Sequence, residues 1–308
     1  MDARQPLTSC KATLPRRDPL YVRGLVLVML AGAFWSLGGV LVRTVDAASE
    51  WQMLFARSCA LALALLGVLV VRYRAQALQR VRKAGLLGVA GGLCIAASSI
   101  GWIFALTHTT VANAVFILCA APIFAALLGR LVLGELVSNA TWMAMVGALA
   151  GIAVMVLGGI RAGALFGNLM AIVSMLAYCG FTIALRRGRE SDMLPAACLG
   201  GLFTAVAAFV FVPDLALSVH DVVVCSTMGV VQIAMGMVLF IAGSRHVPAA
   251  ELALLSLTEV ILAPIWVWIA YDEVPGGLTV VGGAIVLLSI VARAASGLRR
   301  KPPPIAPV

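Results

Sequence analysis

The sequence predicts an all-α integral membrane protein with ten transmembrane helices, built as a 5+5 inverted repeat with both termini in the cytoplasm. Three observations predict this fold class. The composition is that of a membrane protein, the apolar residues fall into ten long segments, and the two halves of the chain resemble each other. Each observation is taken in turn below.

The composition excludes most soluble classes. Of the 308 residues, 62% are hydrophobic and 11% are charged, and the mean hydropathy is +1.07. Soluble domains are about half apolar and about a quarter charged, so this chain has too little polar surface for a soluble enzyme. Because its apolar runs are continuous rather than alternating, a membrane β-barrel is excluded as well. We expect the lipid bilayer as a partner and no nucleic acid.

Charged residues, turn residues and prolines divide the apolar sequence into ten segments, and a helix of roughly 20 residues spans a bilayer. The segments cover residues 24–42, 51–71, 85–106, 111–133, 139–158, 164–185, 193–212, 222–243, 248–270 and 277–295. We predict disordered cytoplasmic tails at 1–20 and 298–308. The two five-helix repeats are predicted at 21–160 and 161–297.

Basic residues give the predicted orientation, because they collect on the cytoplasmic side of membrane spans. Of the 22 lysines and arginines, only Arg43 and Arg161 fall on the opposite side when the N-terminus is inside. Arg57 falls within the second segment. This distribution predicts two cytoplasmic termini and an even number of spans, in a bacterial-type inner membrane.

The two halves of the chain carry a weak internal repeat. A shift of 138 positions places Ala125 on Ala263 and Glu135 on Glu273, and a shift of 143 places Trp35 on Tyr178. Because this period covers five segments, the second copy must cross the membrane in the opposite sense. Inverted repeats of this kind are the architecture of many secondary transporters, which bind their substrate near the membrane midplane.

Two stretches resemble a known family. The first runs from Ala121-Pro122-Ile123-Phe124 to Leu133-Gly134-Glu135, and the second from Ser256-Leu257-Thr258-Glu259 through Ala263-Pro264 to Asp272-Glu273. With ten segments they resemble the drug/metabolite transporter superfamily of the EamA type, most closely the YddG-type amino-acid exporters, over residues 20–295. One departure is that Pro264 follows Glu259 by five residues, where family members more often have proline immediately after the glutamate.

The resemblance implies alternating access around a central cavity lined by helices 1, 3, 4, 6, 8 and 9. It also implies export of small metabolites across the inner membrane, neutral or aromatic amino acids first, with no enzymatic activity and no cofactor. The alternative is efflux of cationic or amphipathic drugs, with or without proton coupling. No HExxH, GxSxG or P-loop motif occurs in the sequence, and these motifs would indicate an intramembrane enzyme or an ATP-driven pump.

Polar and aromatic residues inside the segments are the candidates for substrate binding, since ionisable groups in a span are costly and mark functional sites. Glu259 could bind a substrate ammonium or a coupled proton, or serve as a structural carboxyl. Asn113 and Gln232 could bind substrate or join helices. The full set of candidates is Trp35, Ser36, Ser98, Ser99, Trp102, Asn113, Tyr178, Gln232, Ser256 and Glu259.

Some aromatic and charged residues are expected to have other roles. Trp102 could instead belong to the interfacial belt, and Trp266 is expected there or facing lipid. Arg57 could bind a substrate carboxylate, but it is expected to snorkel outward or to pair with an acidic residue at the outer face.

Pro122 and Pro264 are hinge candidates, because proline removes a helix hydrogen bond. No metal site is expected, since His108 and His246 fall on opposite predicted faces and the cysteines suit apolar packing. A small-molecule substrate and a monomer or weak homodimer complete the expectations.

Overall fold

The computed structural model describes residues 19–74, 77–134, 139–161, 163–187, 194–212, 214–244, 255 and 257–298. Within these residues the secondary structure is helical, with no strand. The helices are α1 (Pro19–Ser36 and Gly38–Thr44), α2 (Glu50–Tyr73), α3 (Ala77–His108), α4 (Val111–Cys119 and Ala121–Leu133), α5 (Asn139–Arg161), α6 (Leu165–Arg187), α7 (Leu194–Phe211), α8 (Val219–Thr227, Met228–Met235 and Gly236–Ser244), α9 (Leu257–Tyr271) and α10 (Gly277–Leu298).

Eight of these helices are long and apolar enough to cross a membrane, and the shorter apolar helices Thr258–Tyr271 and Gly277–Arg293 complete the described set. The prediction of an all-helical membrane protein is therefore confirmed. The number of spans and the cytoplasmic termini stay predictions. The predicted tails lie outside the described residues, except that α1 begins at Pro19 and α10 ends at Leu298.

Three helices are interrupted, where the sequence predicts continuous spans. α1 breaks at Leu37, just before Gly38-Gly39, and α4 breaks at Ala120. Pro122 lies at the start of the second part of α4, where its missing N–H costs no internal helix bond. In α8 the stretch Met228–Met235 is π-helical, a form that occurs often at functional sites.

α3 begins as a surface helix and changes direction at Gly85. This glycine has φ +55° and ψ −150°, which a residue with a side chain rarely adopts. The membrane-spanning part of α3 starts at the same residue. The predicted start of the third segment, residue 85, therefore coincides with a real bend in the helix.

The main contacts between helices recur between the helices five positions further along the chain, counted cyclically, as a five-helix repeat requires. α3 packs against α6 as α8 packs against α1, and α4 packs against α6 as α9 packs against α1. Likewise α3 contacts α7 as α8 contacts α2, while α2 pairs with α7 and α5 with α10. These pairs place the second half of the chain against the first in an exchangeable arrangement.

Glycines allow the closest helix crossings. A Cβ atom on Gly101 of α3 would lie 2.8 Å from the backbone oxygen of Met170 in α6. A Cβ atom on Gly151 of α5 would lie 2.6 Å from the backbone oxygen of Gly282 in α10. Such small-residue contacts are the usual means by which helices approach closely in a bilayer. They hold α3 to α6 and α5 to α10.

Candidate functional site

A buried polar cluster lies where the broken helix α1 meets α8 and α9. Gln232 donates through Nε2 to the backbone oxygen of Trp35 at 3.1 Å. Trp266 donates through Nε1 to the Ser36 hydroxyl at 3.0 Å, and Ser36 in turn donates to the backbone oxygen of Ala33 at 2.7 Å. We call Trp35, Ser36, Gln232 and Trp266 the α1–α8–α9 cluster.

Local sequence explains why these side chains meet. The break at Leu37 lies directly after Trp35 and Ser36, and Gly38 gives Gln232 room, since a Cβ atom there would lie 2.8 Å from Nε2. Gly236 similarly makes room for the Trp35 indole, which also packs against the Phe240 ring in a tilted arrangement with ring centroids 5.4 Å apart. The cluster therefore forms where helix irregularity and glycine coincide.

One acceptor in this cluster is unfilled. Gln232 is 5% exposed, and its Oε1 atom has no hydrogen-bond partner. A buried amide oxygen without a donor costs about 1–3 kcal/mol. The Gln232 amide therefore joins α8 to α1 through Nε2, and its Oε1 atom can accept a hydrogen bond from a ligand.

Glu259 on α9 lies beside α1 at the level of Gly32. The backbone around Thr258 and Glu259 packs against Gly32, where a Cβ atom would lie 3.4 Å from the Glu259 nitrogen. Its carboxylate is close enough to the Tyr178 hydroxyl and the Cys119 thiol to act on both electrostatically. Among the described residues, none donates a hydrogen bond to this carboxylate or forms an ion pair with it. α4, α6 and α9 thus converge on one unpaired acid.

Ser256 lies outside the described residues, so its position relative to Glu259 stays a prediction. The other candidates on α3 lie at the α3–α6 crossing. The Ser98 and Ser174 hydroxyls are 3.2 Å apart, and Ser174 donates to the backbone oxygen of Ser98 at 2.8 Å. Ser99 is half-buried, and Trp102 packs against the hydrophobic core.

Asn113 takes part in a network that ties α4 to α6. Its Nδ2 donates to Asn168 Oδ1 at 2.7 Å and to the Thr109 hydroxyl at 3.2 Å. Thr109 donates to the same Asn168 oxygen at 2.8 Å. Asn168 is 0% exposed and is the centre of the network. Sequence reasoning missed it, although an asparagine inside an apolar segment is the same signal that marked Asn113.

Arg57 contradicts the expectation that it snorkels or pairs with Asp46, Glu50 or Glu273. It is 2% exposed, its Nε lacks an acceptor, and no described carboxylate pairs with it. Its neighbours are on α8: its backbone oxygen touches Gly229, and the Cys225 thiol acts on its guanidinium. Arg57 belongs to the buried stripe of α2 together with Leu54 and Leu61.

Glu273 instead pairs with Arg43, at 3.0 Å from Nε to Oε2. Arg43 also donates to the backbone oxygens of Leu106 at 2.5 Å and Thr109 at 3.1 Å, while Glu273 Oε1 accepts from the Val111 nitrogen at 2.7 Å. We call these five residues the Arg43 lock. It joins the end of α1, the α3–α4 connection and the α9–α10 connection, at the end of the bundle predicted to face outward.

A second polar group lies at the same end. Asp221 at the start of α8 accepts from the backbone nitrogens of Asp46 at 2.9 Å and Ala47 at 3.3 Å. His220 approaches Asp46 at 3.2 Å, and the ligand atoms of Asp46, His220 and Asp221 lie within 4.8 Å of one another. A cation could be held by this donor set, but both Asp221 oxygens already anchor the α1–α2 connection.

Trp266 was expected at the membrane interface or facing lipid, and its bond to Ser36 contradicts a purely lipid-facing role. The hinge candidates differ in their setting. Pro122 adjoins the break in α4, whereas Pro264 lies inside the continuous helix α9. Their role as hinges stays a prediction.

The fold and the buried polar groups define a multi-pass membrane protein. Comparison with family models matches residues 22–157 and 165–292, each to the EamA-like transporter family. The chain belongs to this family and contains two of its repeats, which confirms the resemblance to EamA-type members of the drug/metabolite transporter superfamily.

Curated relatives agree with this. The pseudopaline exporter CntI of Pseudomonas aeruginosa strain PAO1 is 26% identical over 288 residues, covering 87% of this chain and 95% of the relative. The protein of the same name from strain UCBPP-PA14 matches equally. A solved crystal structure matches 91% of this chain and 100% of its own with a TM-score of 0.65 at 16% identity, which shows the fold alone.

Proposed function

We propose that this protein exports small zwitterionic metabolites, amino acids first, from the bacterial cytoplasm by alternating access. The observation that carries the proposal is the α1–α8–α9 cluster. It combines two indoles, a hydroxyl and an unfilled amide oxygen, which suits a ligand with an ammonium group and an apolar side chain. Export is supported by the relative from Pseudomonas aeruginosa, which is named as an exporter.

In this proposal the halves 21–160 and 161–297 exchange roles as the cavity opens to one side and then the other. The shift-by-five relation of the helix contacts supports it, because it gives two alternative arrangements of similar packing. The Arg43 lock holds one end of the bundle together while the substrate enters from the other. We propose that Tyr178 and Glu259 lie along the same path.

Counterflow in proteoliposomes tests the function directly. Vesicles with purified protein are loaded with unlabelled amino acid, and the accumulation of the labelled amino acid is followed with and without a pH gradient. The panel includes neutral, aromatic and charged amino acids and pseudopaline. We expect saturable counterflow of neutral or aromatic amino acids and none in protein-free vesicles. If no panel member exchanges, the proposal is wrong.

The second candidate is efflux of cationic drugs, favoured by the unpaired Glu259 carboxylate. Glu259→Gln removes the negative charge at nearly constant shape. Loss of cation efflux with retained counterflow of neutral amino acids would assign Glu259 to cation recognition. Equal loss of both would instead favour a role in coupling or in structure.

A further inference from the structure

We propose that Arg57 binds the carboxylate of the exported substrate, while Oε1 of Gln232 accepts a hydrogen bond from the substrate's ammonium group. The inference rests on the proposed export of zwitterions and adds the group that recognises their negative end. Nothing in the family relationship assigns a role to Arg57.

The Arg57 side chain points into the helix bundle. The buried residues of α2 form one stripe that includes Leu54, Arg57 and Leu61. The opposite face carries Leu63 at 69% exposure and Val71 at 81% exposure, which suits contact with lipid. Arg57 therefore points into the bundle, and a snorkelling position at the membrane surface is excluded.

The Arg57 guanidinium has no counterion among the described residues. A guanidinium inside a membrane protein is costly, and such groups are normally paired or mark a ligand pathway. Arg57 is 2% exposed, its Nε has no acceptor, and the described carboxylates that form ion pairs do so with other residues. A substrate carboxylate would supply both the countercharge and the acceptors, for which the planar guanidinium is suited.

Arg57 packs against the part of α8 that also carries Gln232. The Arg57 backbone oxygen contacts Gly229, and its guanidinium lies close to the Cys225 thiol. Gln232 follows these residues by one to two helical turns, about 5–10 Å along the axis. A zwitterionic head group bridges a donor and an acceptor roughly 8 Å apart, because each hydrogen bond adds about 2.8 Å to its own width. The π-helical stretch between them is the irregularity that brings the amide to α1.

Along the axis of α1, Glu259 lies at a different height from Gln232, although we propose that both residues line the route of the substrate. Gly32 lies beside Glu259 and Gly38 beside Gln232, and a separation of six residues corresponds to about 9 Å of helix. An ammonium group that Gln232 binds therefore lies at a different level of α1 from Glu259. The apolar side chain of the bound amino acid would lie beside Trp35 and Trp266.

The test compares an acid with its decarboxylated analogue. Counterflow of L-phenylalanine and of phenethylamine is measured with the wild-type protein, Arg57→Gln, Arg57→Lys and Arg57→Met. The matched control is Arg72→Gln on the same helix, since Arg72 is exposed and lies over the Tyr73 ring at 5.3 Å. Thermal unfolding with and without each compound shows that each variant is folded and reports binding separately.

We expect the wild-type and Arg72→Gln proteins to prefer phenylalanine. Arg57→Gln and Arg57→Met should lose roughly 10- to 100-fold of this preference, the range for a hydrogen bond to a charged group, and Arg57→Lys should be intermediate. An unchanged preference in folded Arg57→Gln overturns the role of Arg57 but leaves zwitterion export standing. Exchange of phenethylamine alone, or of neither compound, by the wild-type protein overturns both.

Discussion

Two arginines on neighbouring helices have opposite surroundings. Arg43, at the end of α1, is a quarter exposed and is fully engaged, with Glu273 and two backbone oxygens as its partners. Arg57, on α2, is 2% exposed and has an unpaired Nε. The better solvated charge has three partners, whereas the more deeply buried charge has no carboxylate partner among the residues that the structure describes.

This difference distinguishes structural from functional charge. A charge that joins three chain segments at a helix end stabilises one arrangement of the helices. A charge buried without partners reduces stability and therefore marks a candidate site of function. A related contrast separates Asn168, whose Oδ1 accepts two hydrogen bonds although its Nδ2 has no partner, from Gln232, whose Oε1 accepts none. The predictions below test whether paired groups control stability and unpaired groups control transport.

The largest effect is expected for the Arg43 lock. Arg43→Ala removes the ion pair with Glu273 and the bonds to the Leu106 and Thr109 oxygens. We expect the free energy of unfolding to fall by about 3 kcal/mol, because hydrogen bonds to charged groups contribute about 1.5–3 kcal/mol each and part of this loss is recovered by water. Unfolding by SDS in mixed micelles measures it.

The reciprocal variant provides the control. Exchanging the charges in Arg43→Glu with Glu273→Arg keeps an ion pair but misplaces the bonds to the backbone, so partial recovery is expected. Full stability in Arg43→Ala alone would show that the lock does not hold the helices together.

Asn168 should give the next largest effect. Asn168→Ala leaves the Thr109 hydroxyl and the Asn113 amide without their shared acceptor. Since an unsatisfied buried group costs about 1–3 kcal/mol, we expect a loss of about 2 kcal/mol in the same SDS titration. Thr182→Ala is the matched control, since the Thr182 hydroxyl is exposed and bonds only to its own helix at Tyr178. A loss no larger than that of the control would contradict the network.

Arg57 should show the opposite sign. Arg57→Met keeps an unbranched apolar side chain but removes the charge, so we expect an increase in stability of about 1 kcal/mol, by analogy with buried charges replaced by apolar residues. The same variant should lose its preference for carboxylates. Such a gain in stability with a loss of function is typical of residues retained for activity. Lower stability in SDS would place Arg57 with the structural arginines.

Much of the fold was predictable because it depends on composition. Long apolar segments, their separation by charges and the weak repeat at Ala125–Ala263 were enough for an all-helical membrane class. The interruptions were not predictable in the same way. Leu37 breaks α1 without a proline, and no sequence motif marks the π-helical stretch around Gln232.

The candidate residues were identified by type, and their partners depend on the tertiary structure. Polar side chains in apolar segments marked Ser36, Asn113 and Gln232, which all lie in buried polar contacts. Arg57 was assigned an acidic partner because Glu273 lies on the same predicted face. Glu273 was already engaged by Arg43, and no sequence pattern decides which of two arginines is closer.

The smallest effect on stability is expected for Trp266. This residue tests, within the α1–α8–α9 cluster, whether a side chain acts on stability or on transport. Trp266→Phe removes the donor to Ser36 and leaves no unpaired donor behind. A single neutral hydrogen bond contributes about 0.5–1.5 kcal/mol, and Ser36 keeps its bond to the Ala33 oxygen, so the loss of stability should be about 0.5 kcal/mol. Counterflow of phenylalanine should weaken more than stability does, because the indole would lie beside the substrate side chain. Trp268→Phe, on the same helix with Trp268 54% exposed, is the matched control, and equal transport in both variants would place Trp266 with the structural aromatics.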